Sequence, residues 1–79
     1  MDQEEAERLA RAIRKTPADW IQVQGVECNA ATGTYEVKCL YRQARRGLSH
    51  PESWTTLSII SPRQWIDLLT KHRDDLELP

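Results

Sequence analysis

The residues of this chain best suited to chemistry are Trp20, Gln22, Gln24, Lys38, Arg42, Arg45, Arg46, Trp54 and Thr56. An indole stacks on a base or a partner side chain, an amide or hydroxyl hydrogen-bonds, and a basic head meets phosphate or carboxylate. Trp and Arg are also enriched among the residues that dominate protein interface energetics. The segment Arg42-Gln43-Ala44-Arg45-Arg46-Gly47-Leu48-Ser49-His50 contains no acid. Such side chains serve recognition rather than bond making. The plainer alternative is a solvated sheet face whose tryptophans fold over the edge or stack on Arg42 as a cation–π pair.

The other reactive side chains point away from catalysis. Ser49 and His50 are adjacent in sequence, and neighbours rarely present their side chains to one substrate. The three glycines are isolated, so no glycine-rich phosphate loop exists. Cys28 and Cys39 lack Cys-x-x-Cys spacing, and neither His50 nor His72 stands at ligand spacing. Catalytic residues, metal and cofactor are therefore not expected. A two-layer domain of 79 residues also has little room for a pocket of ~300 Å³.

The elements that position these residues follow from periodicity. Residues 2–15 form an amphipathic helix, with Ala6, Leu9, Ala10 and Ile13 on one stripe, acids at its start and Arg14-Lys15 at its end. Thr16-Pro17 stops it. Residues 20–28 alternate as a strand, with Ile21 and Val23 inward and Trp20, Gln22 and Gln24 outward. After Gly25 the apolar phase shifts, and a bulge at Gly25–Val26 returns Val26 and Cys28 to the inward side. Asn29 to Gly33 is a turn. Residues 34–42 place Tyr35, Val37, Cys39 and Tyr41 inward and Lys38, Leu40 and Arg42 outward.

The bulge defines a register. Cys28 faces Tyr35, Val26 faces Val37, Val23 faces Cys39, Ile21 faces Tyr41 and Trp20 faces Arg42. This keeps the inward pairs apolar or aromatic. It also separates the two thiols by four residues along the ladder, too far to bridge at ~3.3 Å per residue. Both read as buried structural thiols.

A third strand spans 54–60, with Thr55, Leu57 and Ile59 inward and Trp54, Thr56 and Ser58 outward. A second helix begins with Ser61 as N-cap, Pro62 in the first helical position and Gln64 where a capping box places Glu or Gln. Trp65, Leu68, Leu69 and His72 form its stripe. It is expected over about 62–73 with a frayed tail over 74–79, its end falling between Arg73 and Glu77 and Leu76 continuing the stripe where the helix reaches it. The fold class is α+β: one small two-layer α-β-β-β-α domain over 1–79, with both helices on one face of a three-stranded antiparallel sheet.

This order of elements resembles the double-stranded RNA-binding domain and, in its sheet and C-terminal helix, the arm-type DNA-binding domain of integrases. In the RNA-binding family the second helix opens with a lysine-rich phosphate clamp. Here it opens Ser61-Pro62-Arg63-Gln64-Trp65-Ile66-Asp67, so no family residue carries over.

Net charge is -1 and pI about 6.1, which argues against a wholly basic surface. The acids gather at the two ends, with Lys38, Arg42, Arg45 and Arg46 between them. No apolar run approaches the ~20 residues of a membrane helix, and the acidic start is wrong for a secretory signal, so a cytoplasmic monomer or homodimer is expected. The expected function is non-enzymatic nucleic-acid binding through the outer sheet face and the 42–50 loop. The alternative is a protein-interaction module, an adaptor, inhibitor or small subunit, using that face against an acidic protein partner.

Overall fold

The computed structural model describes residues 1–42 and 54–77, with side chains described through Asp74. Over these residues the order is α1 (Gln3–Lys15), β1 (Ile21–Asn29), β2 (Thr34–Tyr41), β3 (Thr55–Ile59) and α2 (Pro62–Glu77). The strands form an antiparallel sheet in the order β1-β2-β3. One buried cluster joins Ala6, Leu9, Ala10 and Ile13 of α1, Ile21, Val37, Cys39 and Ile59 of the sheet, and Trp65 of α2. Both helices thus cover the same face.

Each boundary has a local cause. The Asp2 carboxylate accepts the Glu5 N–H at 2.7 Å, so Asp2 is the N-cap and α1 starts at Gln3. At the other end the Thr16 N–H donates to the Ile13 carbonyl at 3.1 Å, and Pro17 follows. The β1–β2 turn closes through Thr32 and Gly33 N–H groups donating to the Asn29 carbonyl. Gly33 sits at φ 72°, a conformation that favours glycine. The pairing has the expected partners throughout β1 and β2, and the Arg42 N–H donates to the Trp20 carbonyl at 2.8 Å. The bulge lies between Val23 and Gly25, one step earlier than expected, so Gln24 is the residue it takes up.

Two expectations are corrected. Trp20 does not stand on the outer face: it is 8 % exposed and belongs to the core cluster. Regular strand begins only at Ile21, so strand alternation does not bind Trp20, and its indole wraps to the helical side. Its ring stacks on Trp65 (centroids 5.9 Å, planes 23° apart) and on His72 (4.0 Å, 15°), and meets Tyr41 edge-on at 5.9 Å. Burying a large indole against three rings outweighs the face that strand phase alone would choose.

The second correction is Cys28, which is exposed, whereas Cys39 is fully buried. The start of the chain reaches this end of the hairpin, where the Tyr35 N–H donates to the Met1 carbonyl at 2.8 Å. Helix α2 ends at Glu77, at the far limit of the range from Arg73 to Glu77 that the sequence pattern allows.

Trp20→Ala is expected to destabilise by about 3–5 kcal/mol, at least as much as Ile59→Ala, while Trp54→Ala costs under ~1 kcal/mol. Urea unfolding of the three variants checks this order; a Trp54→Ala variant less stable than Trp20→Ala would return Trp20 to the surface.

Candidate functional site

With Trp20 withdrawn, the outer face is built from cross-strand rows. Gln22, Leu40 and Thr56 form one row, and Gly25, Lys38 and Ser58 the next. One step beyond the Tyr41–Thr55 pair, Arg42 lies beside Trp54, with its guanidinium carbon 5.4 Å from the centre of the indole ring. Gln22, Gln24 and Thr56 are exposed, Lys38, Leu40 and Arg42 half-buried, and Trp54 is 37 % exposed. The arrangement has one aromatic platform, a guanidinium stacked on it, and amides and hydroxyls that can bond a ligand.

Both cations on the face already have carboxylate partners. The Lys38 ammonium lies 3.6 Å from the Glu27 carboxylate and donates to the Ser58 hydroxyl at 3.4 Å. The Arg42 guanidinium lies 3.6 Å from the Asp19 carboxylate. Glu27 and Glu36 are opposite one another across β1 and β2, so the hairpin end of the face is acidic. A phosphate would therefore compete with carboxylates for both cations. Arg45, Arg46 and the rest of the expected basic segment beyond Arg42 lie outside the described residues.

His72 is half-buried on α2 and stacked on Trp20. Among the described residues no cluster of His, Cys, Asp and Glu could hold a metal ion, and no helix is long and apolar enough to cross a membrane. An open groove of about 510 Å³ between α1 and β1 is lined by Glu7, Ala10, Arg11, Arg14 and Val26. Helical periodicity simply assigns its charged residues to the solvated side of α1.

Gln64 is the residue whose role the capping pattern foretold only in part. Its N–H donates to the Ser61 hydroxyl at 3.2 Å, as a capped helix start requires. Its side chain reaches beyond the N-cap. The Gln64 carbonyl oxygen accepts the Ile60 N–H at 2.9 Å, and its amide nitrogen donates to the Ser58 carbonyl at 3.1 Å. One side-chain amide thus bonds two backbone groups of β3 as the N–H and C=O of one residue in a neighbouring strand would.

No family model, curated protein or solved structure gives a significant match to this chain.

The two thiols differ sharply. Desolvation pushes the Cys39 thiol up from 9.0 to about 11, with the positive charge of Arg14 opposing the shift. At pH 8 Cys28 is expected to react quickly with a thiol reagent and Cys39 only as fast as the chain opens. Mass spectrometry of the labelled protein reads both rates, and equal rates would contradict the burial of Cys39. The unfolded thiol ionises from about 9.0 and the folded one only near 11, so its stabilising contribution is full below pH 9 and lost as the pH rises toward 11.

Proposed function

We propose that this chain is a non-enzymatic interaction module whose outer sheet face binds an acidic protein partner. The observation that carries this reading is the Arg42–Trp54 stack beside Gln22, Leu40 and Thr56. A partly exposed indole with a guanidinium on its face, next to apolar and amide groups, has the composition of an interface anchor. An acidic side chain from the partner would meet Arg42 and Lys38 by exchanging with Asp19 and Glu27. Such exchange favours specificity of partner over bulk affinity.

Nucleic-acid binding is the second reading, and the same stack favours it, since an indole flanked by arginine is also a platform for a base. The burial of Trp20 counts against it, since one of the two rings it would stack on a base is in the core.

The test is a titration of labelled single-stranded and duplex oligonucleotides at two salt concentrations, with affinity capture after nuclease treatment alongside it. Expected are no measurable oligonucleotide affinity at the lower salt and a captured acidic protein that survives nuclease. Trp54→Ala is expected to weaken that capture more than the Arg45→Ala, Arg46→Ala double variant does. Oligonucleotide affinity with a log–log salt slope near -3.6 on duplex or -2.8 on single strands, as four phosphate contacts give, would replace this reading with the second.

A further inference from the structure

We propose that the groove between α1 and β1 is a second interaction site, where Arg11 and Arg14 hold two carboxylates of an extended acidic peptide segment. Glu7, Arg11 and Arg14 follow one another at i, i+4 and i+7, beside Ala10 of the buried stripe. They form the wall of the groove, and Val26 of β1 lies across from them. Among the described residues, neither Arg11 nor Arg14 makes an ion pair or a hydrogen bond. Arg42, Arg63 and Arg73, by contrast, lie 3.6, 3.2 and 3.8 Å from a carboxylate. Arg8 and Lys15 are also without a partner among those residues, but neither lines the groove. Two guanidiniums with no internal counter-charge thus stand beside an open space of about 510 Å³.

The floor of that space is apolar and incompletely covered. Val37 and Cys39 of β2 are fully buried, whereas on the same side of the sheet Val23 and Val26 of β1 are half-buried and Cys28 is exposed. Arg14 lies close enough to this side of the sheet for its positive charge to act on the Cys39 thiol. A chain laid in the groove would therefore cover apolar surface while its acids met the arginines.

Charge and spacing select the occupant. Residues three apart on a helix have Cβ atoms ~5–6 Å apart, and alternate side chains of an extended chain are spaced about 6.6 Å apart on one side. Carboxylates at alternate positions of a peptide can thus meet Arg11 and Arg14 together, each as a charge-assisted fork. Glu7 sets the limit, because it stands on the same wall ~10.5 Å from Arg14 along the helix axis. A continuous polyanion such as nucleic acid would meet that carboxylate after two favourable contacts, whereas a peptide can place a neutral residue there. The groove opens on the helical side of the sheet, away from the Arg42–Trp54 stack, so this inference does not rest on the proposed function.

The test is an NMR titration of the isotope-labelled full chain, at low salt, with a blocked octapeptide alternating Glu and Val. Expected are saturable shifts of the Arg11 and Arg14 Nε–H signals and of the Val26 amide, with a Kd below about 1 mM. The Arg11→Gln, Arg14→Gln double variant is expected to bind roughly 10-fold more weakly. Its circular dichroism and urea midpoint should stay unchanged, since exposed arginines carry little stability. Glu7→Gln is expected to tighten binding by roughly threefold, because it removes the carboxylate on the wall. No shift up to about 1 mM peptide, or equal affinity in the double variant, would overturn the proposal. So would an equal response to an octapeptide alternating Lys and Val, which would mean apolar adhesion alone. An equal response to free glutamate or inorganic phosphate would mean an adventitious ion only and would overturn it too. Shifts confined to Gln22, Leu40 and Trp54 would move the peptide to the outer face, ending this proposal while leaving the proposed function in place.

Discussion

The structure depends on one inserted ring. Trp65 and His72 are seven residues apart on α2, a rise of ~10.5 Å along one face, which leaves room for a single aromatic ring between them. The Trp20 indole, nearly parallel to both, occupies that space, and Tyr41 closes on it edge-on. Trp65 also belongs to the core cluster, and Leu68 and Leu69 pack against it. The stack therefore fastens the outer part of α2 to the start of β1, and the Arg42–Trp20 backbone bond ties that point into the ladder.

That choice shapes the outer face. An indole spent on the core cannot stack on a ligand, so Trp54 alone remains as the aromatic platform, with Arg42 on its ring. Asp19, next to Trp20 in sequence, lies within 3.6 Å of the Arg42 guanidinium. The anchoring of Trp20 and the partial neutralisation of Arg42 thus arise from the same short segment. Gln64 joins the second helix to the sheet at another point, where its amide covers two backbone groups of β3 while its own N–H is capped by Ser61.

The fold was legible because it rests on repeating patterns. The α1 stripe, the alternation in β2 and the phase shift after Gly25 each follow from burying one side of a periodic element, and together they select a single register. The errors fall where a residue leaves the pattern. Trp20 precedes the first regular strand residue, so its neighbours in space, not its phase, decide its side. The hint was available in Trp65 and His72, two rings on one stripe with a gap between them. Cys28 has the right phase, but phase says nothing about whether a helix reaches that far along the hairpin. The capping pattern at Ser61 and Gln64 named the residues correctly, yet the reach of the Gln64 side chain to β3 depends on how the strand enters the helix. For the site, residue type and row were readable, whereas the pairing of Lys38 and Arg42 with carboxylates required the three-dimensional arrangement.

The most direct measurement of the inserted ring is a double-mutant cycle between positions 20 and 72, using Trp20→Leu, His72→Leu and the pair, with stability from urea unfolding. Side chains that touch as these do are expected to show a coupling of about 0.5–3 kcal/mol, with the double variant losing less than the two single variants combined. Losses that simply add would mean that Trp20 and His72 do not hold one another, and the fastening of α2 through that ring would be contradicted.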